Sequence, residues 1–110
     1  MNKIYFDTNI YIYLFQNHPI YGETARNLVE KARLDAIIVS SSYTIFELLK
    51  WPTTKKVLDQ LKNNFLNLDV LQIVDMNLNI AERAAELSRR YNLGSGDALH
   101  IGTALESKCN

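Results

Sequence analysis

The chain has a single cysteine, Cys109, so no disulfide framework can hold it together, and a reducing, intracellular setting is the default. Charge of one sign is also missing: twelve Lys and Arg balance twelve Asp and Glu. That balance excludes a broad electrostatic footprint for nucleic acid, so any such partner must be gripped locally or through a metal. No apolar run approaches the length of a membrane span. The early apolar residues do not make a cleavable leader, because Asp7 interrupts them. Repeats, low-complexity tracts and linkers are absent. By elimination, the expectation is a cytoplasmic protein of one domain, residues 1–110, with no membrane association. Its 47% hydrophobic and 22% charged residues are values of a globular chain with a core of its own.

What is present begins at Ile4-Tyr5-Phe6-Asp7-Thr8-Asn9, where strand-forming apolar residues run straight into a carboxylate. A buried strand stopping on an acid is costly unless something positive meets it. The carboxyl end of a strand is also where open α/β sheets bind ligands. Strand character over Lys3–Phe6, a break, and a short helix ending near Asn17 to Pro19 account for this region. Apolar residues at helical spacing (Ala25, Leu28, Val29, Ala32) then predict a helix over Gly22–Leu34. Ala36–Val39 is a continuous apolar run, as in a strand covered on both faces. A helix follows from Thr44 to Lys50, and another starts at Thr53 or Thr54 after Pro52. Val70–Val74 reads as a third strand. A helix capped by Asn77 or Asn79 and a last helix over Asp97–Lys108 complete the chain. Alternating strands and helices predict an α/β three-layer sandwich, with a central parallel sheet flanked by helices and three strands visible.

Three acids carry the functional expectation. Asp7 lies at the C-terminal end of strand one, Glu47 in the first turn of the helix after strand two, and Asp97 in the first turn of the last helix, just behind Gly94-Ser95-Gly96. Strand ends and the starts of following helices share one rim of a parallel sheet, so these acids can meet. Crowded carboxylates repel, and a hard divalent cation resolves the conflict. Each acid also has a structural reading. Asp7 can cap a helix, Thr44-x-x-Glu47 matches a capping box, and Asp97 suits a helix dipole. His100, three residues after Asp97, can face the same rim or simply pack. Tyr5, Tyr11, Tyr13 and Tyr91 sit in apolar patterns that suggest core or interface.

Phe6-Asp7-Thr8-Asn9, the helix-borne Glu47 in Ser42-Tyr43-Thr44-Ile45-Phe46-Glu47-Leu48, and Gly96-Asp97-Ala98-Leu99-His100-Ile101-Gly102-Thr103-Ala104 resemble, in order and spacing, the motifs of PIN-domain ribonucleases of the VapC toxin type. The resemblance implies a metal-dependent endoribonuclease, with Asp7, Glu47 and Asp97 as ligands and catalytic residues for Mg2+ or Mn2+. Asn9 would orient the first acid and Thr8 would lend its backbone to the rim. It further implies an RNA substrate, a small antitoxin protein as partner, and a homodimer. The family usually continues past the last helix into a strand bearing a fourth acid, where this chain ends at Ser107-Lys108-Cys109-Asn110. Strand one is then expected to be an exposed apolar edge, and metal affinity to be reduced. Two other readings stay open: a PIN-like module that binds RNA or protein without cutting, and a receiver-like signalling domain with Asp75 as phosphoacceptor.

Overall fold

A computed structural model describes residues 2–68 and 71–109 of the chain. Strand β1 (Asn2–Tyr5) leads into helix α1 (Thr8–Phe15) and then α2 (Gly22–Asp35). Strand β2 (Ala36–Ser41) is followed by α3 (Ser42–Leu49) and α4 (Lys55–Leu66), and strand β3 (Leu71–Val74) by α5 (Leu78–Tyr91) and α6 (Ser95–Glu106). Val70, expected in the third strand, lies outside the described residues.

The three strands form a parallel sheet in the order β1-β2-β3, with Tyr5 paired to Val39 and Ile38 to Leu71. β2 is buried along nearly its whole length, as its unbroken apolar run requires of a central parallel strand. Successive side chains of a strand point to opposite faces. Ile38 faces the side where Val29 and Ala32 of α2 pack, joined by Ile4 and Leu14. A second cluster centres on Tyr11, Leu48 and Phe65, from α1, α3 and α4. Tyr5 and Ser41 face the other way, toward α6, which packs in turn on α5. Gly102 sits at that helix pair. A Cβ there would lie 3.3 Å from the Ala84 backbone nitrogen, so the missing side chain is what lets the two helices approach so closely.

Local chemistry sets the helix ends. Asp7, Ser41, Thr54 and Asn77 each accept a backbone N–H in the first turn of α1, α3, α4 and α5. Asn92 closes α5 in the left-handed region (φ 56°), a conformation Asn tolerates better than most residues. The Asn77 cap accepts the Ile80 N–H at 2.9 Å, and Asn77 lines neither of the cavities to which the three acids contribute. Asn77→Ala is therefore expected to cost about 1 kcal/mol. Denaturant unfolding checks this, and a change below about 0.3 kcal/mol would deny the cap any role.

Three expectations need correction. The helix after strand two starts at Ser42 rather than Thr44, because Ser41 is the residue that caps it: its Oγ accepts the Thr44 N–H at 3.3 Å. The Thr44-x-x-Glu47 capping box is therefore not formed, and Glu47 lies past the first turn of α3. The last helix runs Ser95–Glu106 rather than Asp97–Lys108, with Asp97 in its first turn as expected. Tyr91, read as core or interface, is 60% exposed at the last residue of α5 and so is not core.

Candidate active site

β1 and β2 deliver their C-terminal ends to one rim of the sheet, and α6 begins beside them. Asp7 follows β1 as the N-cap of α1, its Oδ1 accepting the Asn9 N–H at 3.1 Å. One strand over, α3 carries Glu47 back toward the same point. The three acids, together with Thr8, Asn9, Gly96 and His100, line a single cavity of about 70 Å³. A larger cleft of about 510 Å³ opens next to it, sharing Asp7, Asp97 and His100 and running past Phe6, Ile10 and Ile101. An apolar trench thus leads to an acidic end.

The acids differ in their surroundings. Asp7 and Asp97 are exposed, whereas Glu47 is half-buried and held. Its Oε1 accepts the Thr8 hydroxyl at 2.6 Å and lies 2.7 Å from His100 Nε2. The resemblance implies that Thr8 lends its backbone to this rim; its side-chain hydroxyl reaches Glu47 there as well. His100 is only 7% exposed, with its ring set against Tyr5 and Tyr43. On the far side of the imidazole, Nδ1 meets the Tyr5 hydroxyl at 2.5 Å, and that hydroxyl also reaches Ser41 Oγ at 3.2 Å. Burial pushes the Tyr5 hydroxyl above its ordinary pKa; the Ser41 and Thr44 contacts oppose this, and the Glu47 and Asp7 charges reinforce it. The neutral phenol is the form that meets His100.

From the sequence alone His100 has two alternative readings, and Tyr5 reads as core or interface. The Asp97-x-x-His100 spacing is the available signal for the first. Nothing local to Tyr5 marks the second, since its partners lie far along the chain. Asp75 is exposed and does not line either cavity.

The donors suit one kind of guest. All three acids offer oxygen, as hard cations prefer, and Mg2+ is commonly held by one or two carboxylates with water completing its shell. Among the described residues, no three acid, His or Cys side chains converge closely enough to enclose an ion directly. Asp7, Glu47 and Asp97 are the side chains that would hold such a cation, with water completing its shell. No helix among the described residues is long and apolar enough to cross a membrane.

Residues 4–110 match the PIN domain family model. The chain belongs to the PIN-domain family. Ribonuclease VapC2 of Methanocaldococcus jannaschii is 30% identical over 127 aligned residues, which cover 99% of this chain and 81% of that protein. A toxin–antitoxin complex from Klebsiella pneumoniae superimposes with a TM-score of 0.74 at 27% identity, covering 97% of this chain and 82% of the matched one. VapBC2 of Rickettsia felis, solved bound to a DNA fragment from its promoter, shares the fold at a TM-score of 0.71 and 22% identity, over 99% and 84% of the two chains. The PIN fold thus accounts for the three-stranded parallel sheet flanked by helices.

Proposed function

We propose that this PIN-domain chain is a Mg2+- or Mn2+-dependent endoribonuclease and the toxin of a toxin–antitoxin pair. The observation that carries the reading is the single cavity lined by Asp7, Glu47 and Asp97, delivered by three separate elements to one rim of the sheet. Kinship with a protein named as a ribonuclease supports RNA as substrate, and the likeness to a toxin–antitoxin complex supports a protein partner.

In this reading Asp7, Glu47 and Asp97 hold the cation, directly or through its waters. When bound, it supplies an acidified water and offsets the charge that develops on an attacked phosphate. Asp7 and Asp97 stand at the open side, where the adjoining cleft brings substrate past both. Asn9 keeps the Asp7 carboxylate turned to the rim through its backbone N–H. The Glu47 carboxylate arrives already oriented by Thr8 and His100, so it need not be ordered when the cation binds.

A second reading, a PIN module that binds without cutting, draws on the fact that the acids do not close on one point among the described residues. Incubating a mixed RNA pool with the folded protein and Mn2+, with and without excess chelator, separates the two. The enzyme gives fragments that disappear when the metal is removed. A folded protein that cuts nothing with either Mn2+ or Mg2+ would sink the enzyme in favour of the binding module.

A further inference from the structure

We propose that His100 and Tyr5 are positioning residues that lock the Glu47 carboxylate in one orientation, with Oε1 held on the protein and Oε2 left to the cavity. The functional consequence for metal binding rests on the metallonuclease reading above; the lock itself rests on geometry alone.

A carboxylate has no proton to give, so the 2.7 Å contact between Glu47 Oε1 and His100 Nε2 requires a hydrogen on Nε2. Thr8 has one hydroxyl hydrogen, and the 2.6 Å contact with Oε1 is the shortest the hydroxyl makes; Thr44 Oγ1 lies 3.5 Å away. Two donors therefore converge on Oε1. Oε2 has a different outlook. A Cβ placed on Gly96 would come within 3.8 Å of it, and Gly96 is itself part of the cavity wall.

The lock works only if the imidazole cannot turn. A ring held at Nε2 alone can pivot, but this one is also held at Nδ1 by the Tyr5 hydroxyl. The Tyr5 and Tyr43 rings flank it, with centroids 5.6 and 5.4 Å away. Tyr5 is in turn anchored in β1 and bonded to Ser41 at the end of β2. The chain Ser41–Tyr5–His100–Glu47 thus ties the carboxylate to the ends of two paired strands. Partners that orient a metal ligand through such bonds typically contribute 10- to 100-fold to metal affinity.

The test has two arms on the full chain. In the metal-free protein, the His100 Nε2 proton should give a downfield 1H-15N resonance protected from exchange, lost in Glu47→Ala. Calorimetric titration with Mn2+ then compares the wild type with His100→Ala, His100→Gln and Tyr5→Phe, with thermal unfolding recorded for each. His100→Ala should bind Mn2+ about 10-fold more weakly or worse. His100→Gln, which restores a side-chain N–H, should recover much of the loss. Tyr5→Phe, which keeps the ring and removes only the hydroxyl, should weaken binding several-fold. The last two carry the test if the alanine variant does not fold. Absence of a protected Nε2 proton overturns the proposal, as does Mn2+ affinity unchanged in folded His100→Gln, His100→Ala and Tyr5→Phe. A protected proton in a wild-type protein that binds no Mn2+ upholds the lock and overturns the metal reading instead.

Discussion

Asp7→Asn is expected to lower Mn2+-dependent RNA cleavage by at least about 100-fold while leaving the protein folded. The size follows from position: partners that merely orient a ligand are worth 10- to 100-fold, and Asp7 stands in the cavity itself with its carboxylate exposed. The innocence toward stability follows from its second role. Asp7 caps α1 by accepting the Asn9 N–H, and Asn does this about as well as Asp, so the helix start survives. The lost charge near a helix N-terminus costs about 0.3–1 kcal/mol. The substitution therefore separates chemistry from folding, which alanine would not do. Cleavage kinetics and a thermal midpoint on the same preparation check it. An Asp7→Asn protein that cuts within a few-fold of the parent would remove Asp7 from the site.

The largest structural effect is expected at Phe65. Phe65→Ala should destabilise the chain by about 3–5 kcal/mol. The ring is 1% exposed near the end of α4 and meets Tyr11 edge-on at 4.9 Å, the favourable geometry for an aromatic pair. Leu48 completes the buried cluster, and Phe15, Ile45 and Ile73 pack around it, so α1, α3, α4 and the sheet all meet there. Removing the ring leaves a void that helices fixed to three separate connections cannot close. Against a typical total stability of about 5–15 kcal/mol, the loss brings the chain near its unfolding threshold. Urea unfolding should show a lower midpoint with an unchanged slope. A loss below about 1.5 kcal/mol would mean that the cluster collapses around the gap.

Much of the site is legible locally. The break after strand one is readable because the apolar run Ile4-Tyr5-Phe6 stops at the carboxylate Asp7, and Asp97 because a glycine-led turn opens a helix beside it. Glu47 is legible as to its helix but not its depth. Ser40-Ser41-Ser42-Tyr43-Thr44 offers several hydroxyls able to cap, and which one does so depends on where β2 stops pairing. That end is set by β3, where Val74 pairs with Ser41. Tyr91 is not core because helical periodicity says which residues share a face but not whether that face is covered.

By itself, then, the sequence determined the order of strands and helices, and it narrowed the caps to Asp7, to Thr53 or Thr54, and to Asn77 or Asn79. These rest on propensities and hydrogen bonds spanning a few residues, which the local sequence carries. Only the tertiary structure decided that Glu47 is gripped by Thr8 and His100, and that His100 is braced by Tyr5. Those contacts join residues 39, 53 and 95 positions apart. They exist because the parallel register sets Tyr5 beside β2 and packing seats α6 over it, so that hydroxyl, imidazole and carboxylate arrive within bonding distance.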